Sequence, residues 1–442
     1  MDRPLLKALY VISISLSVAL IFNFLFFSKL IGISVFIFAS VFLGAVFLFR
    51  QHYPIHLKKS WWLLLLIAFF AAMPAIRANE FLNFLNICAI LGLLMILAYQ
   101  LTGTPVFLMR LRDYLKLAVL VPLRMLTRAW STVSLVGQIH SDEKHRDVWL
   151  RVLKGVIMAV PILIIFGILF SQADLAFSQF IKNFVDITIT ERTAQYLVLL
   201  AFVFVATLSF LSYILFPKQI QTSIREQSDV AVNRGRAIEV LVFLGLICAL
   251  FAVFIGFQIT YLFGGETNIT NAGFTYAEYA RRGFWELLAV AMLSLLVLLA
   301  SEKYVGIESK RDKRFLIPAI ILIAEVGVVI TSAFKRLSLY IDAYGMTILR
   351  FYVVGFIILL SVLFVLLAVK FIKSKEEQFF AAGSMLSVTA FLIVVNIISP
   401  DAFVVKHNIE QHDRTGKIDV SYLRELSPDA EGGKIELYKK LI

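Results

Sequence analysis

Cysteine, histidine and charge are all scarce in this chain, and each shortage removes a class of function. Only two cysteines, Cys88 and Cys248, occur in 442 residues, and both sit inside apolar runs, where a thiol behaves as a small hydrophobe. That leaves no disulfide framework. Of the six histidines, His52 and His56 bracket Pro54, and His407 and His412 lie near the C-terminus. Neither pair has the further ligands of a metal centre, so neither a metal nor any other cofactor is expected. The patterns G-x-x-x-x-G-K, H-E-x-x-H and G-x-S-x-G do not occur. The phosphate loop, the zinc-protease helix and the nucleophile elbow are therefore all missing, and a non-enzymatic role is expected. Charged residues make up only 16% of the chain, against about 25% in a soluble domain.

What replaces them is apolar: 60% of residues are hydrophobic, with phenylalanine alone at 40 positions. Runs long enough to cross a bilayer recur from end to end, so the predicted fold class is all-α, a polytopic transmembrane helix bundle. Eleven spans are expected, near 5–27, 30–49, 61–76, 81–101, 155–171, 193–216, 237–262, 284–301, 315–334, 349–372 and 379–398. The first is too long for a signal-peptide core and lacks a small-x-small cleavage site, so it is expected to be retained. The third is short and is expected to extend back to Lys59 or forward past Arg77. Between the first two only Ser28 and Lys29 intervene, which predicts a tight hairpin. No fixed-period repeat runs along the spans, which argues against an inverted-repeat carrier.

The formal charge of +12 reflects loop bias, and no nucleic-acid partner is inferred from it. With the N-terminus inside, 26 of the 42 Lys and Arg residues fall in inner segments, 9 in outer loops and 7 in the C-terminal tail. This bias predicts an N-in, C-out orientation. Four stretches follow: a four-span segment at 1–101, an inner basic stretch at 102–154, a seven-span core at 155–398 and an outer helical tail at 399–442. In the second, Arg112, Lys116, Arg124 and Arg128 recur among apolar residues within 110–128, in an amphipathic pattern that Pro122 is expected to break. Such a segment fits an anionic lipid surface, with a membrane-protein partner as the second reading. Residues 172–192, with Phe177, Phe180 and Phe184, read as a shorter interfacial helix. In the tail, Ser399-Pro-Asp-Ala402 and Ser427-Pro-Asp-Ala430 repeat one helix-start signal, with serine as the N-cap. Gly416 is expected to end one helix and Asp419 to cap another, giving two or three short helices docked on the membrane domain.

The least anonymous stretch is Thr275-Tyr-Ala-Glu-Tyr-Ala-Arg-Arg-Gly-Phe-Trp-Glu-Leu287. Thr275 and Glu278 form a capping box, and Glu278, Arg282 and Glu286 then fall on one stripe at the mouth of a span. With Arg336, Asp342, Tyr344 and Arg350 from Arg336-Leu-Ser-Leu-Tyr-Ile-Asp-Ala-Tyr-Gly-Met-Thr-Ile-Leu-Arg350, the outer face would carry four arginines (Arg281 the fourth) among tyrosines. Such a set suits a phosphate or carboxylate headgroup. The competing reading has these charges anchor helix ends, with the tyrosines and Trp285 as an aromatic belt. Glu325 stands alone in the middle of a span. An ionisable group there suggests a relay or a ligand contact, or a hydrogen bond to the helix that carries Gln258. No second mid-span acid or lysine accompanies it.

These two stretches, with Asn396-Ile-Ile-Ser-Pro-Asp-Ala402, Asp419-Val-Ser-Tyr-Leu-Arg-Glu-Leu-Ser-Pro-Asp-Ala430 and Ile76-Arg-Ala-Asn-Glu-Phe-Leu-Asn-Phe-Leu-Asn86, carry a resemblance across most of the chain. Together they resemble a bacterial family of multi-pass membrane proteins, the domain-of-unknown-function 4153/4173 type. The resemblance implies the bacterial cytoplasmic membrane and no established activity. A polyprenyl-linked glycosyltransferase is disfavoured, because those enzymes resemble one another in an acidic first outer loop and here that loop is Ser28-Lys29. Two functions remain to be weighed. One is recognition of a lipid headgroup, an envelope component or a partner protein at the outer face. The alternative is a transporter or flippase using the arginine cluster and Glu325.

Overall fold

The computed structural model describes residues 3–50, 60–101, 106–137, 191–215, 234–262, 284–305 and 312–441, with positions 170, 174 and 179 besides. Every regular element among them is helical. The first six α-helices are α1 Arg3–Phe26, α2 Ile33–Arg50, α3 Trp61–Ile76, α4 Glu80–Leu101, α5 Leu111–Gly137 and α6 Glu191–Leu215. Then come α7 Arg234–Leu262, α8 Phe284–Val305, α9 Lys313–Tyr344, α10 Ile348–Ile372 and α11 Glu377–Ile398. The tail holds α12 Pro400–Thr415, α13 Val420–Glu425 and α14 Glu431–Leu441, with a 3-10 turn at Pro428–Ala430.

Eight of these helices, α1, α4 and α6 to α11, are long and apolar enough to cross a membrane, and α2 and α3 are shorter apolar helices. The protein is a multi-pass membrane protein. Ten of the eleven expected spans correspond to these helices, while 155–171 and the interfacial helix expected in 172–192 fall outside the described residues apart from positions 170, 174 and 179 and from 191–192, which open α6. Helices suit such a chain because each satisfies its own backbone polar groups where no water is available.

Three local expectations are corrected. The helix α3 does not run past Arg77, because residues 77–79 leave it and give their backbone to a different partner, described below. The hairpin between α1 and α2 is wider than two residues: 27–32 lie outside both helices, with Ser28 at φ 55° and Lys29 Nζ donating to the Phe24 carbonyl at 2.5 Å. Pro122 does not break its segment, since α5 continues through it. A proline ring crowds the carbonyl four residues back, here that of Ala118, which lies on the exposed face and has room to tilt outward.

The chain divides into two compact units. The first contains α1, α2, α3, most of α4 and α5, and α6. Within it α1 packs along α6, where Asn23 Nδ2 reaches the Tyr196 carbonyl at 3.5 Å and Phe27 meets the Tyr196 ring edge-on. Leu117, Val121, Met125 and Ala129 of α5, four residues apart, are buried in succession. Beside them Arg128 donates to the Tyr213 carbonyl at 3.2 Å and stacks over its ring, and Thr132 bonds Ser212 at 2.9 Å. One arginine of the basic stripe is thus spent on protein contact.

The second unit comprises residues 77–85 and 107–114 and everything from 222 onward. Between α8 and α9 lie seven residues, too few to span a helix length of about 30 Å at about 3.4 Å per residue, so the two run antiparallel. Shorter turns, 345–347 and 373–376, make α9, α10 and α11 antiparallel in series. The helix α9 is the axis: α7, α8 and α10 all pack on it, and Ala319, Leu322, Val326 and Val329 are fully enclosed. Leu246, Leu250, Val253 and Phe257 of α7 point outward instead. Near the end of α10, Lys370 is 1% exposed and its Nζ lies 2.6 Å from Glu302 of α8. The Phe371 and Phe380 rings surround that ammonium. Both residues lie near the end of an expected span, and burial there makes them a structural pair.

Candidate functional site

The antiparallel series fixes which ends lie together. The start of α8, the end of α9, the start of α10 and the end of α11 share one end of the second unit, and the tail folds back over that end. At 32 residues, α9 is about 48 Å long. The apolar stretch from Phe315 to Phe334 takes up about 28 Å of it, so the turns from Arg336 to Tyr344 extend beyond. Gly345 closes the helix with φ 79° and its N–H on the Ile341 carbonyl at 2.7 Å. Thr347 then caps α10, its hydroxyl accepting from Arg350 N–H.

The tail is seated on this turn by amide side chains. Asn408 of α12 accepts from Met346 N–H at 2.9 Å and donates to the Met346 carbonyl at 2.8 Å. Gln411 donates to the carbonyls of Asp342, at 2.6 Å, and Ile341, at 3.3 Å. The Tyr422 oxygen accepts from Ile348 N–H at 2.8 Å. Burial holds the Tyr422 hydroxyl above the ordinary tyrosine range, against the pull of that N–H. Asp419 caps α13 as expected, its carboxylate accepting from the Ser421 hydroxyl and Tyr422 N–H, and these bonds hold it below the usual carboxylate range. Gly416 ends α12 in the left-handed conformation, also as expected.

The repeated tetrapeptides behave differently from the expectation. Neither Ser399 nor Ser427 makes a side-chain cap hydrogen bond. The aspartates carry the motif, and they converge on one segment. Asp429 accepts from the N–H groups of Ala78 and Asn79 at 2.8 and 3.3 Å. Asp401 accepts from Asn79 Nδ2 at 2.6 Å and from Ser427 N–H at 3.0 Å. Arg77 completes the knot by donating to the carbonyls of Asn396, at 2.8 Å, and Ile397, at 3.2 Å. Val404, Val405, Ile409, Leu423, Ala430 and Leu437 join the same apolar cluster as the helices of this unit, so the tail and the membrane core are one packed body here.

The predicted site residues have divergent fates. Glu278, Arg281 and Arg282 lie outside the described residues, as does the capping box. Glu286, in the first turn of α8, is exposed. Arg336 turns inward: it is buried, and its Nη2 meets Gln258 Oε1 of α7 at 3.2 Å, the atom that also accepts from Ser332 at 2.9 Å. Asp342 is exposed. Tyr344 is 58% exposed and meets the Tyr340 ring edge-on at 5.1 Å. Arg350 stacks over Tyr340 at 4.0 Å and donates to the carbonyls of Tyr344 and Gly345. The structure therefore brings Tyr344 and Arg350 together with Tyr340, and leads Arg336 to α7.

Glu325 is half-buried on the α7 side of α9. Its neighbour across the interface is the Cys248 thiol, which also reaches the Pro318 carbonyl at 3.5 Å. The helix expected to receive it is the right one, but Gln258 is taken by Ser332 and Arg336. Among the described residues no group of three or more His, Cys, Asp or Glu side chains could hold a metal ion. The residues to which sequence reasoning gave no role, Arg77, Asn79, Asn408 and Gln411, are uncharged apart from Arg77; the first two lie in a stretch that carries the resemblance, and the other two in one whose pattern looks unremarkable alone.

No curated protein and no solved structure matches the chain significantly. The family model described as "Domain of unknown function (DUF4153)" matches residues 64–436, from within α3 into α14, and the chain belongs to that family.

Proposed function

We propose that this is a non-enzymatic membrane protein that recognises a component of its envelope, a lipid headgroup or a partner protein, at the tail-bearing end of the second unit. The observation that carries this reading is the projecting end of α9. There Asp342 and Tyr344 are exposed on a helix held from three sides, by Arg350, by Gln411 and by the Asn408 clamp. A rigid, solvated surface of mixed charge and aromatic character suits recognition, because little conformational entropy remains to be lost on binding. Exposed Glu286 starts α8 at the same end, and Arg281 and Arg282 precede it in sequence. By the distribution of Lys and Arg, this end belongs outside a bacterial cytoplasmic membrane.

A photo-crosslinking residue at Tyr344, introduced in the intact membrane, tests the reading. The expected result is one dominant adduct, a lipid or a protein, that Asp342→Lys or Glu286→Lys abolishes while the thermal midpoint stays within about 2 °C. Diffuse labelling, unchanged by either charge reversal, would overturn it.

A transporter or flippase is the second reading, and one feature favours it. Glu325, Ser332 and Arg336 are spaced by seven and four residues, which at about 100° per residue keeps them on one face of α9, opposite Cys248 and Gln258. Val329, fully buried, interrupts that polar seam between Glu325 and Ser332, which supports recognition over transport. Substrate flux in proteoliposomes that Glu325→Gln abolishes would reverse the order.

A further inference from the structure

A groove of about 450 Å³ lies at the opposite end of the second unit, where α10 turns into α11. Its polar rim is Lys375, Glu376 and Gln378, and its walls are Phe107, Phe379, Ala382, Gly383 and Leu386. The turn that presents the rim is built rather than loose. Lys373 N–H bonds the Val369 carbonyl, Lys375 N–H reaches back to the Lys370 carbonyl at 2.8 Å, and Ser374 takes the left-handed conformation at φ 47°. That is the six-to-one closure of a Schellman ending, and it fixes the backbone of Lys375 and Glu376 at the head of α11. The wall follows from helical spacing, since Phe379, Ala382, Gly383 and Leu386 lie three and four apart on one face. A side chain at 383 would be directed at Leu366 of α10, 3.1 Å away, so the groove floor there is backbone. Phe107, Phe379 and Leu386 are exposed.

From this the geometry points to a site for a phospholipid whose headgroup carries both a phosphate and a primary amine. A wholly polar ligand would leave the phenylalanine and leucine wall wet, and a wholly apolar one would strand the rim charges. The groove straddles the polar and apolar ends of a membrane-crossing helix, which is where an amphiphile lies. The rim selects the headgroup. It holds one cation, Lys375, beside one anion, Glu376, and the nearby Arg110 is occupied 3.9 Å from Glu377. A balanced rim matches a zwitterion, with phosphate on Lys375 and ammonium on Glu376 as charge-assisted hydrogen bonds. A purely anionic headgroup would meet the Glu376 carboxylate, and a quaternary amine cannot donate to it.

Native mass spectrometry of the purified full chain tests this, with equal amounts of phosphatidylethanolamine, phosphatidylglycerol and phosphatidylcholine of identical acyl chains. The expected result is retention of phosphatidylethanolamine about fivefold above the other two, equivalent to about 1 kcal/mol. Lys375→Ala and Glu376→Ala should each bring it to their level, and Ala382→Trp, which fills the groove, should do the same with an unchanged thermal midpoint. Equal retention of the three lipids, a preference for phosphatidylglycerol, or selectivity that survives Ala382→Trp would overturn the proposal. Displacement by water-soluble phosphoethanolamine as effective as by the intact lipid would overturn it too, since the wall would then contribute nothing. Because this groove and the tail-bearing end lie at opposite ends of the unit, loss of the Tyr344 adduct and loss of lipid selectivity report separately.

Discussion

Two arginines with the same sequence credentials show what a residue's surroundings decide. Arg336 and Arg350 flank one motif, yet Arg336 is drawn into the α7 interface while Arg350 lies over Tyr340 and straps the turn beneath it. Their charge was legible in the sequence; their orientation depends on the phase of α9 and on Gln258, 78 positions upstream. Asn408 is the residue on which the tail's seat depends. Asn408→Ala leaves a buried N–H and a buried carbonyl of Met346 without partners, which costs about 1–3 kcal/mol, read as a lower thermal midpoint of the purified protein. Gly345→Ala is expected to destabilise as well, because its φ is positive and the new methyl would sit 2.5 Å from Asn408 Oδ1. Both changes strike one contact, so the double variant should lose less than the sum of the two. For the enclosed pair, Glu302→Gln or Lys370→Met alone strands one partner and should cost about 3–5 kcal/mol, whereas Glu302→Leu with Lys370→Met should recover most of that. Unfolding in detergent compares the three.

Among elements, the spans were legible and the knot was not. Hydropathy marks a helix that faces lipid, so most helix bounds fall close to the expected runs, while α9 continues ten residues past Phe334. The Ser-Pro-Asp-Ala repeats were also visible, but their local chemistry suggests only a helix start. Asp429 meets partners about 350 positions away in sequence, and no periodicity carries such a contact. The knot predicts that Asp429→Asn frees the tail from the 77–79 turn, because one carboxylate oxygen and the charge assistance are lost. Limited proteolysis should then cut between α12 and α14 faster than in the wild type, while α7 to α10 remain protected. The tail should also loosen at both extremes of pH. Tyr422 has its folded value raised, so its contribution is complete below the unfolded tyrosine value near 10 and is lost as pH rises through the higher folded one. Asp419 has its folded value lowered, so its contribution is present above the unfolded carboxylate value near 4 and is lost as pH falls through the lower folded one. Tyr422→Phe should remove the alkaline limb of the proteolysis profile and leave the acidic limb in place.

On the scale of the whole molecule, the prediction is one of sidedness. If the Lys and Arg bias orients the chain as the sequence implies, alkaline phosphatase fused after Ile442 is active, and the same fusion placed after Gly137 in α5 is inactive. The opposite pair of results would move the tail-bearing end to the inner side and take the outer-face reading with it. Loop charge alone carries that expectation of sidedness, whereas nothing in the sequence marks the division into two compact units, because it depends on which helices pack together. A last consequence follows from the length of α9. Roughly 28 Å of it is apolar span and about 15 Å continues past Phe334, where Arg336, Leu337 and Ile341 stay buried and Asn408 and Gln411 bolt the tail to the tip. Such a rod works as a pointer. Rotating it by about 10° about its buried end would carry Tyr344 through about 8 Å, by the geometry of a 48 Å helix. A change in bilayer thickness that tilts α9 would shift the packing along its buried length as well, and would be written largest in the position of the tail.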